Sequence, residues 1–103
     1  MNGESPIKFE WDPGKNILNQ KKHSIDFEEA SSIFGDPLAL TLDDPEHSVI
    51  EHRHLTIGFS NQARLLIIAH TERNERIRII SARKVTPRER KFYEEKNEKN
   101  FGR

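Results

Sequence analysis

Three stretches constrain this chain more than any others: HRHLTIGFS (52–60), ARLLIIAHTE (63–72) and RIRIISARKV (76–85). The first sets His52, His54, Thr56 and Gly58 against Arg53, Leu55, Ile57 and Phe59. That is the period of a strand with two unlike faces. Only Asn61-Gln62 and a polar break at Arg73-Asn74-Glu75 separate the three stretches, so they are predicted to be consecutive hairpin strands. The last two carry apolar residues on both faces and should form the centre of the sheet. Ile57, Leu66, Ile68, Ile77 and Ile79 are the expected core of these strands.

The rest of the chain must cover that sheet. IKFEW (7–11) alternates apolar and charged residues as a short strand does, and LALTL (38–42) predicts another before the acidic, turn-rich DDPEHS. Between them lie two helix starts. Asp12-Pro13 places a carboxylate cap before a proline and predicts a helix over 13–22, with Ile17 and Leu18 as its apolar anchors. Asp26-Phe27-Glu28-Glu29 has the spacing of a capping box, with Ile25 and Ala30 placed as a hydrophobic staple. Phe27, Ala30, Ile33 and Phe34 follow at helical spacing, and Gly35 is the expected left-handed stop. Thr86-Pro87-Arg88-Glu89 opens a last helix over 87–97, anchored by Phe92 and Tyr93.

The expected fold class is therefore α+β, in one domain over residues 1–103 with a loose tail at 1–6. An N-terminal strand and two helices precede an antiparallel sheet of four to five strands, and a helix closes the chain. The longest apolar run, Leu65 to Ala69, is too short to span a bilayer. The opening MNGESPIKFE lacks the pattern of a signal peptide. A cytoplasmic protein with no membrane association is expected. With no cysteine, neither disulfides nor thiolate metal sites are available.

The formal charge of zero conceals an asymmetry. Residues 1–51 hold four Lys or Arg and eleven Asp or Glu, whereas residues 52–103 hold thirteen and six. Seven of those cations crowd into RIRIISARKVTPRERKFYEE (76–95): Arg76, Arg78, Arg83, Lys84, Arg88, Arg90 and Lys91. Such clustering suits an anionic partner, although long ionic side chains are usually just solvated surface.

Two segments, FEWDPGKNILNQKKHSIDFEEASSIF and RIRIISARKVTPRERKFYEE, resemble the two ends of the BrnT toxins. The W-D-x-x-K-x-x-x-N-x-x-K-H opening and the I-S-A-R near the end are the specific parts, and the resemblance runs from about Lys8 to Glu95. It implies a RelE- and ParE-like fold and a toxin of a type II toxin–antitoxin pair. It also implies a ribonuclease that arrests translation, with a small DNA-binding antitoxin, BrnA, as its partner. The implied assembly is two toxins and two antitoxins, with operator DNA met only through the antitoxin.

Metal-free RNA cleavage needs a base for the 2′-hydroxyl, cations for the pentacovalent phosphate and an acid for the leaving oxygen. Arginine suits the second task because its planar fork matches phosphate oxygens. Arg83 and Arg78 are the leading candidates, although Arg83 is also placed to reach the Glu89 carboxylate. His23 is a candidate acid or base and equally a stabiliser of its helix's C-terminus. His70 is a candidate proton-transfer group or a polar edge residue. Tyr93 resembles a tyrosine that many RelE-like toxins carry near the C-terminus, or else anchors the last helix. Lys22, Arg76, Lys84 and Arg88 are expected to bind RNA. Strict alternation places Arg76, Arg78 and Lys84 on one face and Arg83 on the other, unless a bulge intervenes.

His52 and His54 share a strand face, but no carboxylate of matching parity lies near them in sequence, so no metal and no cofactor are expected. Two other functions compete with cleavage. One is a module that binds RNA or antitoxin without chemistry, and the other a ParE-like poison of DNA gyrase, since fold does not fix function.

Overall fold

A computed structural model describes residues 6–46 and 52–101 of the chain. The three alternating stretches are consecutive antiparallel strands, β3 (Arg53–Phe59), β4 (Leu65–Arg73) and β5 (Arg76–Lys84). Together with β1 (Phe9–Glu10) and β2 (Leu40–Asp43) they form a five-stranded sheet in the order β1-β5-β4-β3-β2. The α+β expectation holds, with one refinement: β1 pairs parallel to β5, so the sheet is mixed. Two-residue β1 can do this because α1 (Pro13–His23) and everything after it serve as the crossover.

The β4–β5 hairpin turns on two residues, with Arg73 paired to Arg76. Asn74 and Glu75 both take left-handed backbone (φ 53° and 63°), whose twist matches that of the flanking strands. A bulge follows. Ala69 pairs with Ser81 and His70 with Ile79, so Ile80 is the extra residue on β5.

One face of the sheet carries α1 and α2 (Phe27–Ser31), the latter continued by a 3-10 turn, Ser32–Gly35. Ile25, Phe27, Ala30 and Ile33 bury against Leu66, Ile68, Ile79 and Ala82, with Phe9, Trp11 and Phe34 packed alongside. Of the expected strand core, Ile57, Leu66, Ile68 and Ile79 are buried, while Ile77 stays half-buried beside β1. Both N-caps form: Asp26 accepts from the Glu29 N–H at 2.7 Å, and Asp12 accepts from the Gly14 N–H at 2.8 Å.

Two local expectations fail. Gly35 does not adopt left-handed backbone, because the 3-10 turn ends against Asp36, whose carboxylate accepts from the Leu38 and Phe59 N–H groups. Ile17 and Leu18 do not anchor α1; they are more than half exposed. Instead α1 docks by amides. Buried Asn19 donates to the carbonyls of Ile25 and Ala82 and accepts from the Ala82 N–H, at 2.9–3.1 Å. Asn16 accepts from the Phe27 N–H at 2.8 Å. β1 reaches only Ile77 and Arg78, so the β5 edge beyond it needs hydrogen-bond partners, and Asn19 supplies them.

α3 (Pro87–Phe101) crosses the opposite face, running past the expected end at residue 97. Tyr93 buries there with Ile57, Leu65 and Ile67, and Phe92 and Val85 pack at the margin. No described helix is long and apolar enough to cross a membrane. Residues 1–5 of the expected tail and residues 47–51 of the acidic loop lie outside the described residues.

Candidate functional site

The bulge decides which cations meet. Because Ile80 adds one residue, the alternation of β5 reverses beyond it. Thr71 pairs with Arg78, Arg73 with Arg76 and Ile67 with Arg83, so these three arginines share the α3 side of the sheet. Lys84 pairs with Leu66 and falls on the helix-packed side. Strict alternation therefore misplaces two residues: Arg83 joins Arg76 and Arg78, and Lys84 leaves them. Arg53, paired with Thr71, extends the same face, and the exposed Ser81 sits between Arg78 and Arg83.

Both leading arginines are held by carboxylates. Arg83 donates through Nη1 and Nη2 to the two oxygens of Glu89, at 2.9 Å each, and through Nη1 to the Lys84 carbonyl at 3.2 Å. Hydrogen bonding to Glu89 raises the Arg83 pKa and lowers that of Glu89. Glu89 also accepts from the Thr86 N–H at 2.8 Å, which closes the capping box. Arg78 approaches Glu10 of β1 at 3.3 Å through Nη1. Glu10 was not anticipated as part of the site; its only sequence signal was its polar parity in IKFEW.

α1 delivers two more candidates. Lys22 and His23, in its last turn, line a cavity of about 200 Å³ with Lys15, Leu18, Asn19, Ile80 and Ser81. Ser81 thus belongs both to this cavity and to the arginine face. The candidate site is a surface that runs from the C-terminal end of α1, past the β5 bulge, to Arg78 and Arg83.

Other expected residues lie elsewhere. His70 is buried on the helix-packed side of the sheet, edge-on to Phe34 at 5.0 Å, and shares a 2.7 Å hydrogen bond with the Thr56 hydroxyl through Nε2. Burial, reinforced by the nearby His54, pushes its pKa down to about 4, so it is neutral near pH 7. Tyr93 is buried under α3 and donates to Asp36 at 2.7 Å. Burial and that carboxylate raise its pKa well above the ordinary value, which suits an anchor better than a proton donor. Arg88 is exposed in the first turn of α3.

The two strand-face histidines have a carboxylate after all. Asp43, on β2, pairs directly with His54, and its Oδ1 lies 3.4 Å from His52 Nε2 and 3.4 Å from His54 Nδ1. Sequence parity along one strand could not reveal it, because the carboxylate comes from the neighbouring strand.

Comparison with known proteins agrees with this architecture. A family model described as "Ribonuclease toxin, BrnT, of type II toxin-antitoxin system" matches residues 11–89. The fold is similar to the crystal structure of the Brucella abortus ribonuclease toxin BrnT, with a TM-score of 0.58 and 20% identity. That match covers 79% of this chain and 99% of the other. No curated protein matches the sequence.

Proposed function

Since the chain belongs to the BrnT family of ribonuclease toxins of type II toxin–antitoxin systems, we propose that it is a metal-independent endoribonuclease that arrests translation. The observation that carries this reading is the β5 bulge, which gathers Arg76, Arg78 and Arg83 on one face, while Lys22 and His23 of α1 share a cavity with Ile80 and Ser81 at the bulge itself. A base takes the proton of a ribose 2′-hydroxyl, and the 2′-oxygen attacks the adjacent phosphorus. The P–O5′ bond then breaks, and an acid protonates the departing 5′-oxygen. The products are a 2′,3′-cyclic phosphate and a 5′-hydroxyl end.

Arg83 and Arg78 stabilise the charge that builds on the phosphoryl oxygens. Glu89 occupies the Nη1–Nη2 edge of Arg83, while the Nε–Nη2 edge has no partner among the described residues and matches a phosphate bidentately. His23 is the proton-transfer group of this reading. Arg76 and Lys22 hold the RNA backbone. His70 and Tyr93 take no part in the chemistry.

A BrnA-like antitoxin neutralises the toxin in a two-plus-two assembly and covers Arg78 and Arg83. An acidic or amphipathic segment laid over these cations associates more slowly as salt rises. The deciding experiment incubates purified protein and RNA with excess chelator and identifies the new termini. Cyclic phosphate and 5′-hydroxyl ends support the reading. RNA bound but left intact would make the chain a binding module, and a requirement for added divalent metal would refute the mechanism.

A further inference from the structure

Asp43, His52 and His54 converge at the β2 edge of the sheet, opposite β1, on the face that carries α1 and α2. Cross-strand pairing fixes Asp43 against His54, and His52 lies two residues from His54 on the same side of the chain. The three ligand atoms, Asp43 Oδ1, His52 Nε2 and His54 Nδ1, all lie within 4.8 Å of one another.

Their spacing is informative. Each nitrogen stands 3.4 Å from the oxygen, beyond the 2.7–3.2 Å of ordinary N–H···O bonds. Bonds of about 2.0–2.1 Å to a tetrahedral ion place neighbouring ligand atoms roughly 3.3–3.4 Å apart. Both nitrogen–oxygen separations therefore match those of two ligands on one such ion. The imidazole of His54 also lies against that of His70 (5.6 Å between centroids, 31° between planes), and the His70–Thr56–Thr41 hydrogen-bond chain runs beneath it.

We propose that these three side chains bind one zinc-class divalent ion, with the fourth coordination position left to water. Two imidazoles and one carboxylate suit zinc, cobalt, nickel or copper; magnesium and calcium prefer oxygen ligands. The ion fastens the four-residue edge strand β2 to β3 and so stabilises the folded chain. It lies on the opposite face from Arg78 and Arg83 and has no role in phosphoryl chemistry.

The test uses the untagged full-length protein, first stripped of metal. Calorimetry with zinc chloride should give one ion per chain, and cobalt(II) should give the visible absorption of a four-coordinate site. Zinc at a hundredfold excess over Kd should raise the thermal midpoint by roughly 10 °C, whereas magnesium chloride should not. The exposed Asp43 and His52 can be changed without disturbing the core. Asp43→Asn should weaken zinc binding at least tenfold, and His52→Ala should abolish the cobalt spectrum. Absence of stoichiometric zinc binding by the wild type, or undiminished binding by the His52→Ala/His54→Ala variant, would overturn the assignment.

Discussion

Two guanidinium–carboxylate pairs in this small protein use the same chemistry to different ends. Arg64 gives its Nε–Nη2 edge to Glu29, and the same Nη2 donates to the Ser24 carbonyl at 3.2 Å. Arg83 gives the opposite edge, Nη1–Nη2, to Glu89. The Glu29 side chain is only 2% exposed and also accepts from the Ser60 hydroxyl at 2.7 Å, whereas Arg83 is 43% exposed. In the first pair the fork is spent on the fold. In the second it is held by Glu89, and its Nε–Nη2 edge has no partner among the described residues. The two pairs thus differ in which guanidinium edge is left without a partner among the described residues, and the proposed role of Arg83 depends on that difference.

The largest expected effect belongs to the open pair. Arg83→Ala should lower RNA cleavage by about a hundredfold to a thousandfold and relieve growth arrest. Fold should survive, since an exposed pair of this kind contributes under about 1 kcal/mol. His23→Ala should lower cleavage by about a hundredfold, through proton transfer. Full toxicity of both soluble variants would remove these residues from the site and make the two pairs functionally alike.

Next comes Arg64→Ala, which should leave per-molecule cleavage unchanged and cost about 3 kcal/mol of stability. It strands the buried Glu29 carboxylate with Ser60 as its remaining side-chain partner. Urea unfolding of the variant measures this. A loss below about 1 kcal/mol would mean that water reaches Glu29, and the contrast in burial would lose its meaning.

These pairs show how far sequence could lead. Asp26…Glu29 and Thr86…Glu89 have the same box spacing, and both helix starts form. Only Glu89 closes its box by bonding the cap backbone; Glu29 turns to Arg64, thirty-five residues away, a partner that no local pattern encodes. The strands were legible because alternation is local. The bulge at Ile80 was not, since it exists only in the pairing of β4 with β5, yet it decides which arginines share a face. Asn19 was hidden for a similar reason. The motif marks its position but not its burial, which follows from the unpaired edge of β5. Asp43 joins His52 and His54 only once β2 lies beside β3.

Acid should separate the pairs more gently. The Arg64 hydrogen bond lowers the Glu29 pKa and Arg83 lowers that of Glu89, each from 4.5. A carboxylate with a depressed folded pKa adds stability that is fully present above its unfolded value. That stability is lost as pH falls through the folded value. Stability should therefore decline below about pH 4.5, and Glu29→Gln should flatten the decline more than Glu89→Gln because Glu29 is the more buried. Equal flattening in denaturant titrations at pH 3 to 6 would contradict the ranking.

The smallest effect on folding, and the sharpest on the comparison, should come from Glu89→Gln. A carboxamide keeps the length of the side chain, and its oxygen can still accept from the Thr86 N–H, so the start of α3 should persist. Its NH2 group, however, is a donor and cannot face an Arg83 nitrogen. The two-point grip on the guanidinium is lost, while the positive charge of the face increases. If Glu89 orients Arg83, cleavage should fall about tenfold with KM no higher, because RNA still meets the cations but the fork is no longer held in place. The thermal midpoint should move by only a few degrees. Glu29→Gln should do the reverse, lowering the midpoint and sparing the rate. If Glu89→Gln instead unfolds the protein at unchanged specific activity, Glu89 is a second Glu29, and the Arg83 pair belongs to the fold.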